Sequence, residues 1–441
     1  MAKQGMESIW KETTALPEFP ELDKDVNTEV LIIGGGMAGI LTAYFLQQEG
    51  VNYILVEKDR ICSGTTGNTT AKITVQHGLI YQKILKASGI EAAQKYFQAN
   101  QKAFESYEQL CQNIACDYEK KDNYVYAAED RQKLENEMSA LAQIGCNAEF
   151  CESIAPPVAA VGAVKVPKQA QFAPLKFIAS IVKDLNIYEN TFVKEMIGNT
   201  AVTDRCRIRA EKVIAATHFP FLNKHGSYFL KLYQHRSYVI ALENAQNVDG
   251  MYVAENKKGM SFRNYKEMLL VGGGGHRTGK QGGNWEELRC FAKRYFPDSR
   301  EISHWAAQDC MSLDQIPYIG RYSKHTPNLY VASGFNKWGM TGSMVAAMLL
   351  CDKILNREND YADIFDPSRS ILKPQLLANG LESVKNLLTP AIPRCPHLGC
   401  ALKWNPIEHS WDCACHGSRF SKDGRVLDNP ANGDSRSVKN E

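Results

Sequence analysis

The chain has 441 residues, 51 of them Lys or Arg and 49 Asp or Glu, so its formal charge is +2; 44% of it is hydrophobic and 23% charged. This near-balance, with no long run of like charge, argues against an electrostatic nucleic-acid binder, and the length calls for two or three domains. The N-terminal segment is polar and no apolar run reaches the ~18 residues of a membrane span, so the expectation is a cytoplasmic chain with no leader, no integral membrane segment and no nucleic-acid partner.

Residues 29–33 form an apolar strand that runs into Gly34, Gly35, Gly36, Met37, Ala38 and Gly39. A helix follows, with Ile40, Leu41, Tyr44, Phe45 and Leu46 on its buried face. Residues 53–56 make a second strand, closed by Glu57 and Lys58. This strand–turn–helix–strand frame gives each glycine a task. Gly34 makes the tight turn, Gly36 lets the backbone approach a pyrophosphate, and Gly39 admits close helix–strand packing. Met37 and Ala38, at the helix N-terminus, offer N–H groups and a positive dipole end to phosphate. Glu57 can accept hydrogen bonds from an adenosine ribose. The bland alternative is a glycine-rich turn with no ligand.

That fingerprint does not choose between FAD and NAD; two later segments do. Residues 64–72 are a small, hydroxyl-rich loop in which Thr65 and Thr66 suit backbone contact with a flavin. Residues 328–332 form another strand, and 333–342, containing Gly334, Gly339, Met340 and Thr341, turn into a helix. The dipole of that helix can face the flavin edge where negative charge develops. These segments resemble FAD-dependent oxidoreductases of the D-amino-acid-oxidase and glycine-oxidase type, over residues 28–355. The resemblance implies FAD, an adenine contact at Val193, a late strand over 212–217 ending at Thr217, and a strand over 314–320 before the flavin-edge turn.

The same family lays an antiparallel sheet over the flavin. Residues 236–243, 250–254, 259–263 and 268–273 alternate as its strands, with helices at 98–112 and 130–144 beside it. Amino-acid oxidases of this type often carry an arginine shortly before the Asp-x-x-Pro segment; here Asp309 occupies that place. An aspartate there favours a cationic amine, or sits in a buried ion pair. The candidate substrate-side residues are His276, Arg263 and Asp309, with Tyr124, Tyr126, Arg236, Tyr238 and Lys337 next in line; for each, a structural role competes. His276 follows four glycines, Gly272 to Gly275, which imply a close backbone approach.

The most specific signal lies near the C-terminus: Cys395-Pro396-His397-Leu398-Gly399-Cys400 and Cys413-Ala414-Cys415-His416-Gly417-Ser418. Two such runs can bring two thiolates and two imidazoles together, the set a Rieske 2Fe–2S centre needs. A structural zinc ion accepts the same set. The two runs resemble the Rieske iron–sulfur family, which implies Cys395, His397, Cys413 and His416 as cluster ligands and a disulfide between Cys400 and Cys415. The preceding stretch reads as an amphipathic helix, with Leu377, Leu381, Val384, Leu387 and Leu388 at helical spacing, rather than as strands. That leaves the β base of the module shortened, with Trp404, Trp411, Phe420 and Val426 to shield the cluster. The nine cysteines elsewhere read as buried apolar thiols.

The fold expected is α/β with an α+β substrate domain: a Rossmann-like FAD-binding domain (28–85, 160–222, 313–355), an antiparallel-sheet substrate domain (86–159, 223–312), a linker with a helix (356–389) and a small, shortened all-β Rieske module (390–441). The function expected is an FAD-dependent dehydrogenase acting on a small amine or amino-acid-like molecule. Electrons would pass singly to or from the 2Fe–2S cluster and on to an external carrier. An oxygen-using oxidase with a vestigial Rieske module, and a non-enzymatic redox-sensing flavoprotein, are the alternatives.

Overall fold

The computed structural model describes residues 7–222, 225–256, 259–390 and 393–438. The apolar run at residues 30–33 makes the centre of an eight-stranded sheet, because a strand buried on both faces needs apolar residues at every position. The sheet order is Tyr318–Arg321, Leu329–Ser333, Arg207–Ala215, Val26–Ile33, Tyr53–Val56, Ile187–Tyr188. The pairs among the last five are parallel, with Ile33 level with both Val56 and Ala215. Their carboxyl ends therefore share one edge, where such sheets bind ligands. Helices Met37–Gln48 and Gly339–Ile354 pack together on one face and are apolar nearly all round.

A second, nine-stranded sheet begins with Arg300–Ser312, Leu232–Glu243, Met268–Arg277, Ser261–Tyr265 and Met251–Ala254, all antiparallel. It continues into Glu119–Ala127, which pairs in parallel with Met251–Ala254, so the sheet is mixed rather than purely antiparallel. The amphipathic helix Trp285–Tyr295 covers one face and seals a core around Tyr238, Ile240, Phe262 and Leu288. The helix expected over 98–112 starts as early as Tyr81, with a break at Gly89, where φ is +86°.

The third sheet is a four-stranded antiparallel meander: Leu402–Asn405, Ser410–Cys413, Arg419–Ser421, Val426–Asp428. All its strands follow the first Cys–His run. A single bridge, Arg394 to Ala401, is the only pairing that precedes them among the described residues. Phe420 and Leu402 are buried in its small core with the four cysteines, and Trp411 and Val426 pack against it. Trp404 is half-exposed and stacks edge-on to Trp411.

The linker helix forms over Pro374–Leu388, but inside out. Its buried residues are Asn379, Glu382 and Asn386, and Leu377, Leu381, Leu387 and Leu388 face solvent. Polar partners explain the orientation. Asn379 accepts from Arg277 and donates to Leu230 O, and Glu382 pairs with Lys280. Among the described residues no helix is long and apolar enough to cross a membrane.

Candidate functional site

A cavity of about 800 Å³ opens at the carboxyl edge of the first sheet and runs beneath the second. Gly34, Gly36, Met37, Ala38, Glu57, Lys58, Thr65, Thr66, Val193, Thr217, Gly339 and Met340 all line it. Gly34 has φ +115°, and a Cβ there would meet Ala216 O at 2.5 Å. A Cβ on Gly39 would sit 1.9 Å from Gly34 O, so the helix can approach the strand only because both are glycine. At Gly36 a Cβ would touch only Thr66 Oγ1, at 3.5 Å; this stretch of backbone faces the cavity. Thr66 accepts from Met37 N at 3.0 Å and so caps the helix start. Glu57 accepts from Gly35 N at 2.7 Å, and burial raises its carboxyl above the ordinary range. A helix N-terminus above a glycine edge, with a carboxyl group at the next strand end, fits a dinucleotide.

Gly334 and Thr341 do not line the cavity. Gly334, with φ +73°, packs against Leu232 and Ser312, while Thr341 exchanges hydrogen bonds with the Thr74 backbone. Of the three substrate-side candidates, only Asp309 reaches the cavity. Burial raises its carboxyl, against the opposing charges of Lys337, His218 and Arg236. Arg263 is 1% exposed and donates to Thr70 O, Gln171 Oε1 and Asn264 O, so it ties strands together. His276 lies behind the wall, against Tyr238 Oη and Arg277 O. His77 was not singled out by sequence, yet it lines the cavity. It stacks on Trp338 at 5.0 Å and hydrogen-bonds Tyr96 Oη, and burial pushes it down to about 3, so it is neutral.

The two Cys–His runs form adjacent loop tips. The His397 and His416 rings stand 4.9 Å apart and nearly perpendicular. Cys395 and Cys413 are buried free thiols facing each other, and Cys400 and Cys415 form a disulfide that ties the loops. Cys413 also lies close to the disulfide sulfurs. The ring nitrogens of His416 are buried and lack a hydrogen-bond partner of normal geometry. Two facing thiols beside two adjacent buried imidazoles supply the sulfur and nitrogen donors a mixed-ligand cluster needs.

The module does not hang free. Arg277 donates to Ala414 O at 2.9 Å and to Cys415 O at 2.8 Å. Gln234 donates to His416 O and Asn429 O, and Gln308 to Gly417 O at 3.0 Å. Asn429 donates to Thr217 O and Phe219 O, and Phe219 lies edge-on to both histidine rings. The module also completes the cavity: Arg419, Val426, Asp428 and Asn429 are part of its wall. Local sequence signals could not reveal these contacts, which join residues from 109 to 212 positions apart.

The FAD dependent oxidoreductase (DAO) family model matches residues 29–353, and the Rieske [2Fe-2S] domain model matches residues 386–439. The chain belongs to the FAD dependent oxidoreductase family. It is similar, at 33% identity over 98% of this chain and 97% of the relative, to YhfW of Bacillus subtilis (strain 168), whose name describes a Rieske 2Fe-2S iron-sulfur protein. Its fold is similar to that of L-proline dehydrogenase from P. horikoshii (TM-score 0.66, 16% identity, 80% of this chain and 98% of that one). It is equally similar to glycine oxidase from Geobacillus kaustophilus (TM-score 0.66, 19% identity, 78% and 99%). The chain is thus an FAD-dependent oxidoreductase with a C-terminal Rieske domain, and its cofactors are FAD and a 2Fe–2S cluster.

Proposed function

We propose that the chain is a dehydrogenase that takes electrons from an amine or amino-acid-like substrate and routes them through its own Rieske module to an external carrier. When bound, FAD accepts an electron pair as hydride, and the cluster relays electrons singly. In this reading Gly34, Gly36 and Gly39 shape the dinucleotide cradle, the helix start at Met37 and Ala38 faces the pyrophosphate with the Ala38 amide as donor, and Glu57 holds the ribose. Lys58, Thr65, Thr66, Val193, Thr217, Gly339 and Met340 complete the FAD wall. Cys395, His397, Cys413 and His416 hold the cluster.

The observation that carries the reading is the position of Gln308. It lines the cavity, its carbonyl accepts from Thr65 Oγ1, and its side-chain amide donates to Gly417 O, one residue beyond His416. A single residue thus separates the flavin cavity from a cluster-binding loop. Its neighbour Asp309 supports an ammonium-bearing substrate, since it places a carboxyl group on the cavity wall. Lys337, on the same wall, donates to Ser237 Oγ and opposes the charge of Asp309.

The test is anaerobic. Amines and amino acids are screened for flavin bleaching, and the cluster is followed by EPR in the same samples. Cluster reduction that follows flavin bleaching, with little hydrogen peroxide formed in air, is the expected result. A fully occupied cluster that stays oxidised beside a fully reduced flavin overturns it.

A further inference from the structure

An amphipathic helix at a protein surface normally turns its apolar stripe to the core. The linker helix Pro374–Leu388 does the reverse. Leu377, Leu381 and Leu388 are 72%, 73% and 77% exposed, Val384 more than half, and Leu372 just before the helix extends the row. The inward face is held by polar groups. Asn379 meets Arg277 and Leu230 O, Glu382 meets Lys280 and Asn386, and Asn386 O accepts from Ala401 N. The orientation is therefore specified rather than a loosely packed accident. Burying a stripe of four large aliphatic side chains would be favourable, and this fold leaves that gain unused.

Charge indicates what covers the stripe. Glu382 is the helix's only acid, and it points inward. The outer rim carries Lys385, and Lys373 stands at the N-terminal end. An isologous pair of these faces would bring lysine against lysine, whereas an anionic lipid surface meets both lysines favourably. The stripe is also continuous with the cluster loop. Arg394 clamps Leu387 O and Gly399 O together, which sets the exposed Leu398, next to His397, at the helix C-terminus.

We propose that the Leu377–Leu381–Val384–Leu388 face of this helix, with Leu398, seats the protein on an anionic membrane surface, lying in the interface plane and presenting the cluster-loop side of the molecule to the bilayer. The helix is too short to span, and a stripe of leucines rimmed by lysines is the pattern of an interfacial helix. The inference is independent of substrate and of the internal electron route.

The test uses the full-length holoprotein and co-sedimentation with phosphatidylglycerol-containing vesicles or with phosphatidylcholine vesicles alone. Binding to the anionic vesicles, weakened by salt, is expected. Leu377→Ser with Leu381→Ser should cut the partition coefficient about tenfold or more, and Lys385→Glu about fivefold, with FAD and iron content unchanged. Should the double variant misfold, the wild-type preference for anionic over neutral vesicles decides alone. Failure of the wild type to sediment with anionic vesicles overturns the proposal. So does a dimer, seen by light scattering, that the double variant abolishes and vesicles do not compete away, since the stripe would then be a protein interface.

Discussion

Across the boundary between the second sheet and the C-terminal module, the Arg236 guanidinium grips the Glu408 carboxylate, and the two side chains are only 10% and 7% exposed. Arg419 reaches the same carboxylate from the module side, and Tyr238 adds a phenol hydrogen bond. Burial alone would raise Glu408, but Arg236 and Arg419 hold it down at about 2. A carboxylate whose folded value is depressed stabilises the fold above its unfolded value, and that gain is lost as pH falls toward the folded value. Glu408→Gln should cost about 3 kcal/mol near neutral pH, and the gap to wild type should close as pH drops from about 4.5 toward 2. Chemical denaturation along a pH series checks both.

Gln308→Leu removes the amide that bridges Gln234 and Gly417 O. It should lower stability by about 1–3 kcal/mol, because buried acceptors lose their donor. It should also slow cluster reduction after the flavin is bleached, while bleaching itself proceeds. Anaerobic stopped-flow at flavin and cluster wavelengths separates the two steps.

Gly36→Ala and Gly39→Ala should fail differently. An alanine at Gly36 meets only Thr66 Oγ1, so the protein should fold normally yet lose FAD affinity, since the methyl projects toward the cavity. An alanine at Gly39 collides with Gly34 O and should destabilise the first sheet itself. Flavin titration of each purified variant, with circular dichroism as the fold check, distinguishes the outcomes.

Cys395→Ser and Cys413→Ser should each abolish iron binding while FAD content stays near wild type. Cys400→Ser should instead weaken the module: its disulfide to Cys415 closes a separation of 15 residues. The loop-entropy value for that span is about 3 kcal/mol. Iron per chain, measured during a thermal ramp, should fall at lower temperature in Cys400→Ser than in wild type.

Lys72 lines the cavity and is nearly fully buried. Burial, with Arg263 adding to it, lowers the amine to about 7. The unfolded chain then holds a proton the folded one lacks between about 7 and the ordinary 10.5, so this burden on folding is greatest below pH 7 and fades as pH rises to 10.5. Lys72→Met should therefore stabilise the protein more at about pH 6 than at about pH 9, as read by denaturant midpoint.

Much of this was legible in the sequence because the signals are local. The glycine turn at Gly34–Gly39 and the two Cys–His runs each span a few residues whose chemistry permits few alternatives. The parallel strands were readable for the same reason, as continuous apolar runs between turns. What could not be read depends on pairing over distance. His276 draws attention through the four glycines before it and Arg263 through its place in the substrate sheet, yet Arg263 donates to Thr70 O and Gln171 and His276 lies against Tyr238. The linker helix had the right period and an unexpected facing, since periodicity reveals a stripe and not which side the rest of the chain will offer polar partners. Gln308 carried no motif at all; its importance comes from lying between two sites that the fold brings together.

The wall that Arg419, Val426, Asp428 and Asn429 contribute to the cavity has a consequence for biosynthesis. The glycine cradle at Gly34–Gly39 is made well before the segment over 419–429 that closes the far side of its cavity. During vectorial synthesis the N-terminal region folds before that segment exists. A chain truncated before its final strands would offer an open, leaky flavin cleft. On the proposed cradle, secure retention of FAD would depend on the later-made module docking on the earlier-made site.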